Sequence, residues 1–377
     1  MSWDWHQIEQ QPGFAGAEAR ARNEVRPVLE RVAGGSVDPG KSAKVASRFL
    51  FVPFLLFIAT FMSLDFLLPH GAFWEILKFL LFPVLFFAYL AAGIFLMRGQ
   101  LTKLFLEAQA RLRLKAEAMT LAAAPLGITY VPSPGGAPKG LEWLAKQSWA
   151  PAALREAANT LNETGGMDGA VAAVRDTGLF IESNTYVVGN AEQKAQYNQQ
   201  VSGMRRIEDG FEGERGGVSF SMFEWIESVE DAPDIYHLMI VLAAPFTLHG
   251  VTHLRARKTG WPQDPGGNTM QEVDLGPKAF DALYRLRASD QVEARAIFNP
   301  AVIERVIALS HGGKFRAVGR GQHLVFDFAS EANRFHLIDL ITGAWSDETI
   351  RQTHADLAEA LALVDALGHA FMLARKA

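Results

Sequence analysis

Two uninterrupted apolar runs dominate the hydrophobic pattern of the chain. The first reads FLFVPFLLFIATFMSLDFLL, residues 49–68, and the second FWEILKFLLFPVLFFAYLAAGIFLM, residues 73–97. At about 1.5 Å per helical residue, each is long enough to cross a hydrocarbon core roughly 30 Å thick. Neither alternates with polar positions as an amphipathic helix does. Only PHGA separates them, so the pattern predicts a tight transmembrane helical hairpin over 48–97 (48–68 and 73–97). Pro53 and Pro83 are expected to kink the spans.

Beyond the second run the pattern turns amphipathic. Leu101, Leu104, Phe105, Ala108, Leu112 and Met119 recur at helical spacing, predicting a helical stalk over 98–124 that ends near Pro125. Its stripe can pack within the monomer or seat a second copy of the chain, giving a homo-oligomer. Residues 1–47 read as a surface helix and a Gly/Ser/Pro linker. Residues 139–177 are helical in composition. After them, TGLFIESNTYVVGN, GGVSFSMFEWIESV, DIYHLMIVLAAPFTLHGVTHLRARK and FRAVGRGQHLVFDF carry the β-branched and aromatic residues of strands. PKAFDAL, SDQVEARAI and PAVIERVIALSHGG read as helices. In the last of these Asn299 is the cap, Pro300 the first helical residue and Gly312-Gly313 the stop. A final helix starts after Ser346 and runs to about Arg375, with Leu357, Leu361, Val364 and Leu367 covering a sheet face. Residues 125–377 are therefore expected to form a cytoplasmic α+β domain, an antiparallel sheet with covering helices, tethered by the hairpin and stalk.

Composition narrows the function classes. The 377 residues are 49% hydrophobic and 20% charged, too apolar for disorder. The absence of cysteine excludes disulfides, zinc–thiolate sites, iron–sulfur clusters and thiol nucleophiles. The opening MSWDWHQIEQ is polar and does not read as a signal peptide. Residues 116–377 hold 23 Lys/Arg against 32 Asp/Glu, so no nucleic-acid partner is expected of the main domain. Lys41, Lys44 and Arg48 precede the first span, and Arg98, Lys103, Arg111, Arg113 and Lys115 follow the second. The connecting turn has no basic residue, and the positive-inside rule then puts both ends in the cytoplasm.

Candidate chemistry is sparse. Asp65, Glu75 and Lys78 interrupt the apolar runs, and intramembrane charges are functional suspects. All three lie near the outer turn, where an Asp65–Lys78 pair or snorkelling to the headgroups is the favoured reading and an ion path the alternative. GGSVDPGKS matches G-x-x-x-x-G-K-[ST], with Lys41 and Ser42 in the phosphate-contacting places. A working phosphate loop joins a strand to a helix, whereas this one joins a helical segment to a membrane span, so it reads as a linker. His249 and His253 would share a helix face, but PFTLHGVTHLRAR reads as a strand, which holds them about 13 Å apart. No metal site is expected. G-x-S-x-G and H-E-x-x-H are absent. Asp209, Glu212 and Glu214 crowd among glycines, as paired carboxylates for acid–base work or as hairpin-edge residues. In SDQVEAR, Ser289 is placed to cap a short helix and Asp290 to favour its dipole. Val292 and Ala296 are expected to face inward, with Arg295 beside them and partnered within the domain. The rival reading makes Arg295 a recognition residue. No catalytic, cofactor-binding or metal-ligating residue is assigned, and no cofactor is expected.

FDALYRLRASDQVEARAIFNPAVIERVIAL (280–309), EDGFEGERGGVSFSMFEWIES (208–228) and the strand pair within 234–258 resemble a bacterial membrane-protein family, domain of unknown function 3137. The two spans fit its layout, and the resemblance covers residues 45–370, in round numbers. It implies a bacterial inner-membrane location and makes Asp290, Glu293 and Arg295 a family-like motif of structural character. It carries no activity, so no catalytic role transfers. The expected function is a non-enzymatic anchor, scaffold or regulator, lodged in the lipid bilayer and binding a protein partner through its cytoplasmic domain. The alternatives are a membrane-tethered, hydrolase-like enzyme with an unlocated site, and a lipid-sensing or transport accessory subunit. An enzyme calls for a deep polar pocket; a binding module calls for a shallow patch or an open sheet edge.

Overall fold

Alternating side chains place one face of a long antiparallel sheet against helices, while the other is mixed, with Phe223, Trp225, Met239 and Val241 buried beside Ser221, His237 and Asp327. The computed structural model describes residues 3–33, 110–132, 207–227, 234–257, 270–276, 278–311, 315–340 and 342–375, with isolated residues between 58 and 107 and between 143 and 155. The strands are β1 (Ile128–Val131), β2 (Ile207–Arg215), β3 (Val218–Glu227), β4 (Ile235–Ala243), β5 (Thr252–Ala256), β6 (Gln271–Glu272), β7 (Tyr284–Ala288), β8 (Phe315–Arg320) and β9 (His323–Ser330). They pair in the order β1-β2-β3-β4-β9-β8-β5-β7-β6, and every pairing is antiparallel.

β4 and β5, adjacent in sequence, are separated in the sheet by the β8–β9 hairpin. The expected strand through PFTLHGVTHLRAR is thus broken at 244–251, and His249 sits in that turn while His253 is buried in β5. Among the described residues, no group of His, Asp and Glu is placed to hold a metal.

Chain separation divides the structure into two compact units. The first comprises Met1–Pro27, Ala116–Leu337 and Ser346–Ala377. The helices are α1 (Trp5–Glu9), α2 (Ala17–Arg20), α3 (Arg26–Ala33), α4 (110–123), α5 (Lys278–Leu283), α6 (Gln291–Ile297), α7 (Pro300–Ser310) and α8 (Asp347–Ala374). The core of the first unit lies between the sheet and α6, α7 and α8, and α1 and α2 belong to the same unit. Phe211, Met222, Leu238, Ile240, Phe326 and Phe328 supply the inner sheet face. Asn299 caps α7 and Ser346 caps α8, as the sequence predicts, through bonds to the first backbone N–H groups. The α7 stop comes one residue earlier than expected, at His311 with φ 48°.

α8 is the one helix among the described residues long and apolar enough to cross a membrane. Its apolarity has another cause. It is buried on the sheet side by β2 and β3, alongside by α6 and α7, and on its outer side by α1 and the turn that follows α2. The Trp5 ring meets His354 edge-on at 5.3 Å, and Ile8, Phe14 and Val25 are buried. Arg26 pairs with Asp347 at 3.3 Å. Over 353–364 every residue is buried, and a stretch covered on all sides draws apolar residues all round.

The second unit comprises Val28–Lys115 and Ile338–Trp345. Ile58, Thr60, Leu85, Phe86 and Tyr89 are helical, and the hydroxyls of Thr60 and Tyr89 share a 2.8 Å hydrogen bond. Thr60 belongs to the first apolar run and Tyr89 to the second. Residues 110–123 are helical, and buried Arg111 donates to the Leu340 carbonyl at 3.1 Å. This part of the predicted stalk packs within its own chain. Asp65, Glu75, Lys78, the GGSVDPGKS stretch and TGLFIESNTYVVGN lie outside the described residues.

Candidate functional site

The SDQVEAR motif folds as a clamp on the turn before β5. Asp290, not Ser289, is the cap of α6: its carboxylate accepts from the backbone N–H groups of Val292 and Glu293, both at 3.0 Å. Ser289 Oγ instead accepts from Val251 N at 2.8 Å. Glu293 is buried, and its two oxygens accept from His249 N at 2.8 Å and Gly250 N at 2.9 Å. Gly250 is required by this closeness, since a Cβ there would sit 2.8 Å from Asp290 Cβ and 2.9 Å from its backbone nitrogen.

The helix phase differs from the expected one. Val292 is 74% exposed, and Glu293, Ala294 and Ile297 face inward. The clamp sets this rotation, because the Glu293 carboxylate must reach two backbone donors. Arg295 is exposed and donates to the Asp274 carbonyl at 3.3 Å and to Gln291 Oε1 at 3.1 Å.

The sheet face turned away from the covering helices holds the second feature. Cross-strand register puts Thr129, Glu212, Ser221 and Val241 in one row, and Glu214, Ser219, Ala243 and His323 in the next. The serines and Ala243 are small in a sheet otherwise rich in large side chains, and a half-open cleft of about 580 Å³ lies over them. Glu212 and Glu214 stand at the β2 end. At the β9 end the Trp143 indole stacks on His323 at 4.1 Å between ring centroids. Burial lowers the His323 pKa, so this end is uncharged at neutral pH. Ser221 is 4% exposed, and its Oγ has no hydrogen-bond partner among the described residues. Asp209 is not part of this group: it is buried on the opposite sheet face, where it accepts a short hydrogen bond from the Tyr130 hydroxyl. The expected trio of carboxylates is therefore split between faces.

Further along the same face, Asp327 bonds His237 Nδ1 at 2.8 Å and Arg316 Nε at 2.5 Å, and Trp225 stacks on His237 at 4.3 Å. Burial alone would raise the Asp327 pKa; Arg316 and His237 override it and hold the carboxyl at about 2. Both carboxylate oxygens are engaged, which suits a sheet lock rather than an acid–base group.

The stretch from β4 through most of α8, with the Glu293 clamp at its centre, decides the family resemblance. Residues 238–369 match the family described as Protein of unknown function (DUF3137). The DUF3137 match covers about a third of the chain and contains the clamp entire. Of the cleft it contains Val241, Ala243 and His323, while β1, β2 and β3 precede it. No curated protein matches the chain. Among solved structures, the crystal structure of the mycobacterial trehalose monomycolate transport factor A, TtfA, aligns over 40% of this chain and 72% of that chain. The alignment has 14% identity and a TM-score of 0.24, too slight a likeness to assign fold or role.

Proposed function

We propose that this protein is a two-span inner-membrane anchor whose cytoplasmic α+β domain docks a protein partner along β1 and the adjoining cleft. The observation that carries the docking reading is the geometry at that sheet end. β1 ends the strand order among the described residues, and the half-open cleft starts at its Thr129. An open edge offers backbone donors and acceptors to an extended segment, and a neighbouring cleft selects its side chains. The cleft is not an enclosed chamber with converging acids and bases, so the enzyme reading has no comparable support.

Parity supports the hairpin. Residues on both sides of the apolar runs, 1–27 and 116–337, belong to one compact unit. Segments that fold together occupy one side of a membrane, so the chain between them crosses it an even number of times. The basic flanks favour the cytoplasm as that side. Reporter fusions at residues 45 and 120 should both read cytoplasmic, and one within 69–72 should read outside. A periplasmic signal from position 120 would end the hairpin reading. For docking, a photo-crosslinking residue at Thr129 in native membranes should capture one recurrent protein, whereas one at Val292 should not. Equal, diffuse labelling from both positions would count against it.

A further inference from the structure

We infer that the cleft receives a lysine side chain of the docked partner, an inference that rests on the docking reading above. Its acidic end comes from β2, where Glu212 and Glu214 share a face two residues apart, about 7 Å along the strand. Ser221 lies across from Glu212, and Ser219 across from Glu214. The Ser221 hydroxyl is buried, lines the cleft and lacks a partner among the described residues. Such a hydroxyl calls for a group that the described residues do not supply.

An alkylammonium meets these demands together. Its three N–H donors diverge, as do oxygens presented from two carboxylates and a serine on neighbouring strands. A guanidinium is a flat fork and prefers both oxygens of one carboxylate. Behind the oxygens the floor turns apolar at Val241 and Ala243, which suits a methylene stem. The far end is closed by Trp143 over neutral His323, so no cation there repels the incoming charge. The distance from β2 to β9 is three strand spacings, about 14 Å, room for a lysine stem and its backbone. The adjoining β1 edge favours a polypeptide as the source over a free amine, because a segment paired there carries its side chains to the cleft.

The test uses the full chain in detergent micelles and calorimetric titration with three probes. These are a short extended peptide with one central lysine, the same peptide with that lysine acetylated, and spermidine. The lysine peptide should bind, and acetylation should weaken it at least about tenfold, the loss of one charged hydrogen-bonding group. Glu214→Gln should weaken the lysine peptide about tenfold and Ser221→Ala by a few-fold, while Glu304→Gln on exposed α7 surface leaves it unchanged. Absence of binding at millimolar peptide, equal binding of the acetylated form, or indifference to both cleft variants overturns the inference. Spermidine binding as tightly as the peptide overturns the polypeptide source. The two readings fail separately: a recurrent crosslink from Thr129 with no lysine dependence leaves docking standing, and lysine-dependent binding without that crosslink removes docking at β1.

Discussion

Glu293→Ala should lower the melting temperature of the full chain by roughly 10 °C, whereas Arg295→Ala, two residues on, should leave it within a degree or two. Two backbone N–H groups, from His249 and Gly250, point at the Glu293 carboxylate from a turn with no other acceptor described for them. Gly250 is buried, so water is a poor substitute. Charge-assisted bonds of this kind contribute about 1.5–3 kcal/mol each, and stranding a buried donor adds to the loss. The expected cost is about 3–5 kcal/mol. Glu293→Gln keeps one acceptor oxygen and turns an N–H₂ towards the second donor, so it should fall between alanine and the parent. Arg295 makes its contacts at the surface, where they contribute little. Gly250→Ala should resemble Glu293→Ala by a different route, since its Cβ has no room against Asp290. Thermal melts of the four variants check the assignment. Reversal of the order, with Arg295→Ala melting low and Glu293→Ala like the parent, would show that the clamp does not hold the turn.

Asp356 should cost the domain stability as pH rises from 4 to 7, and Asp356→Asn should remove that cost. Asp356 is buried on α8, and burial raises its pKa to about 7 against the ordinary 3.8. The nearby Arg334 charge and the Gln352 amide, which donates to Asp356 Oδ1 at 3.0 Å, oppose this without cancelling it. Glu359, one turn on, adds repulsion, while His311, 3.3 Å from Glu359, relieves some of it. Between pH 4 and 7 the folded chain holds a proton that the unfolded chain has released. The Asp356 contribution is therefore most favourable below the ordinary carboxylate value, falls through that window and levels above about 7. Three pKa units correspond to roughly 4 kcal/mol. Asparagine is neutral throughout and still accepts from Gln352. Chemical denaturation at pH 4.5 and pH 8 should give parent and variant similar stability at the lower pH and a clear advantage to the variant at the higher. A variant–parent difference that does not change with pH would refute the assignment.

What the sequence made legible follows the range of the interactions. The caps of α7 and α8 were readable because a cap and its N–H groups lie within three residues. The strands β3, β4, β8 and β9 were readable from their own composition. β2 was not: IEDGFEGER has two glycines and five charges, and it is a strand because β1 and β3 flank it. The inward face of α6 was misread because a seven-residue helix takes its phase from its docking contacts, and Glu293 docks although Val292 is the more apolar. The cleft could not be found at all without strand order. Thr129, Glu212, Ala243 and His323 come to line one cleft only when β1, β2, β3, β4 and β9 are laid side by side. A faint trace of it existed, in the small residues at alternate positions of SFSMF and VLA.

The packing of α1 and α2 onto α8 has a consequence in time. Trp5 meets His354, and Arg26 meets Asp347, so each contact waits for well over three hundred further residues to be made. At about 5–20 residues per second, that interval is between roughly 15 seconds and a minute. Throughout it the surfaces of α1 and of the turn after α2 that meet α8 lack that native cover, while the apolar runs at 49–97 are already being synthesised. A ribosome that stalls before residue 347 leaves those surfaces bare for good. The first residues of the chain thus register whether translation has reached its last tenth, and a protease that reads exposed apolar helices would clear the fragments that did not.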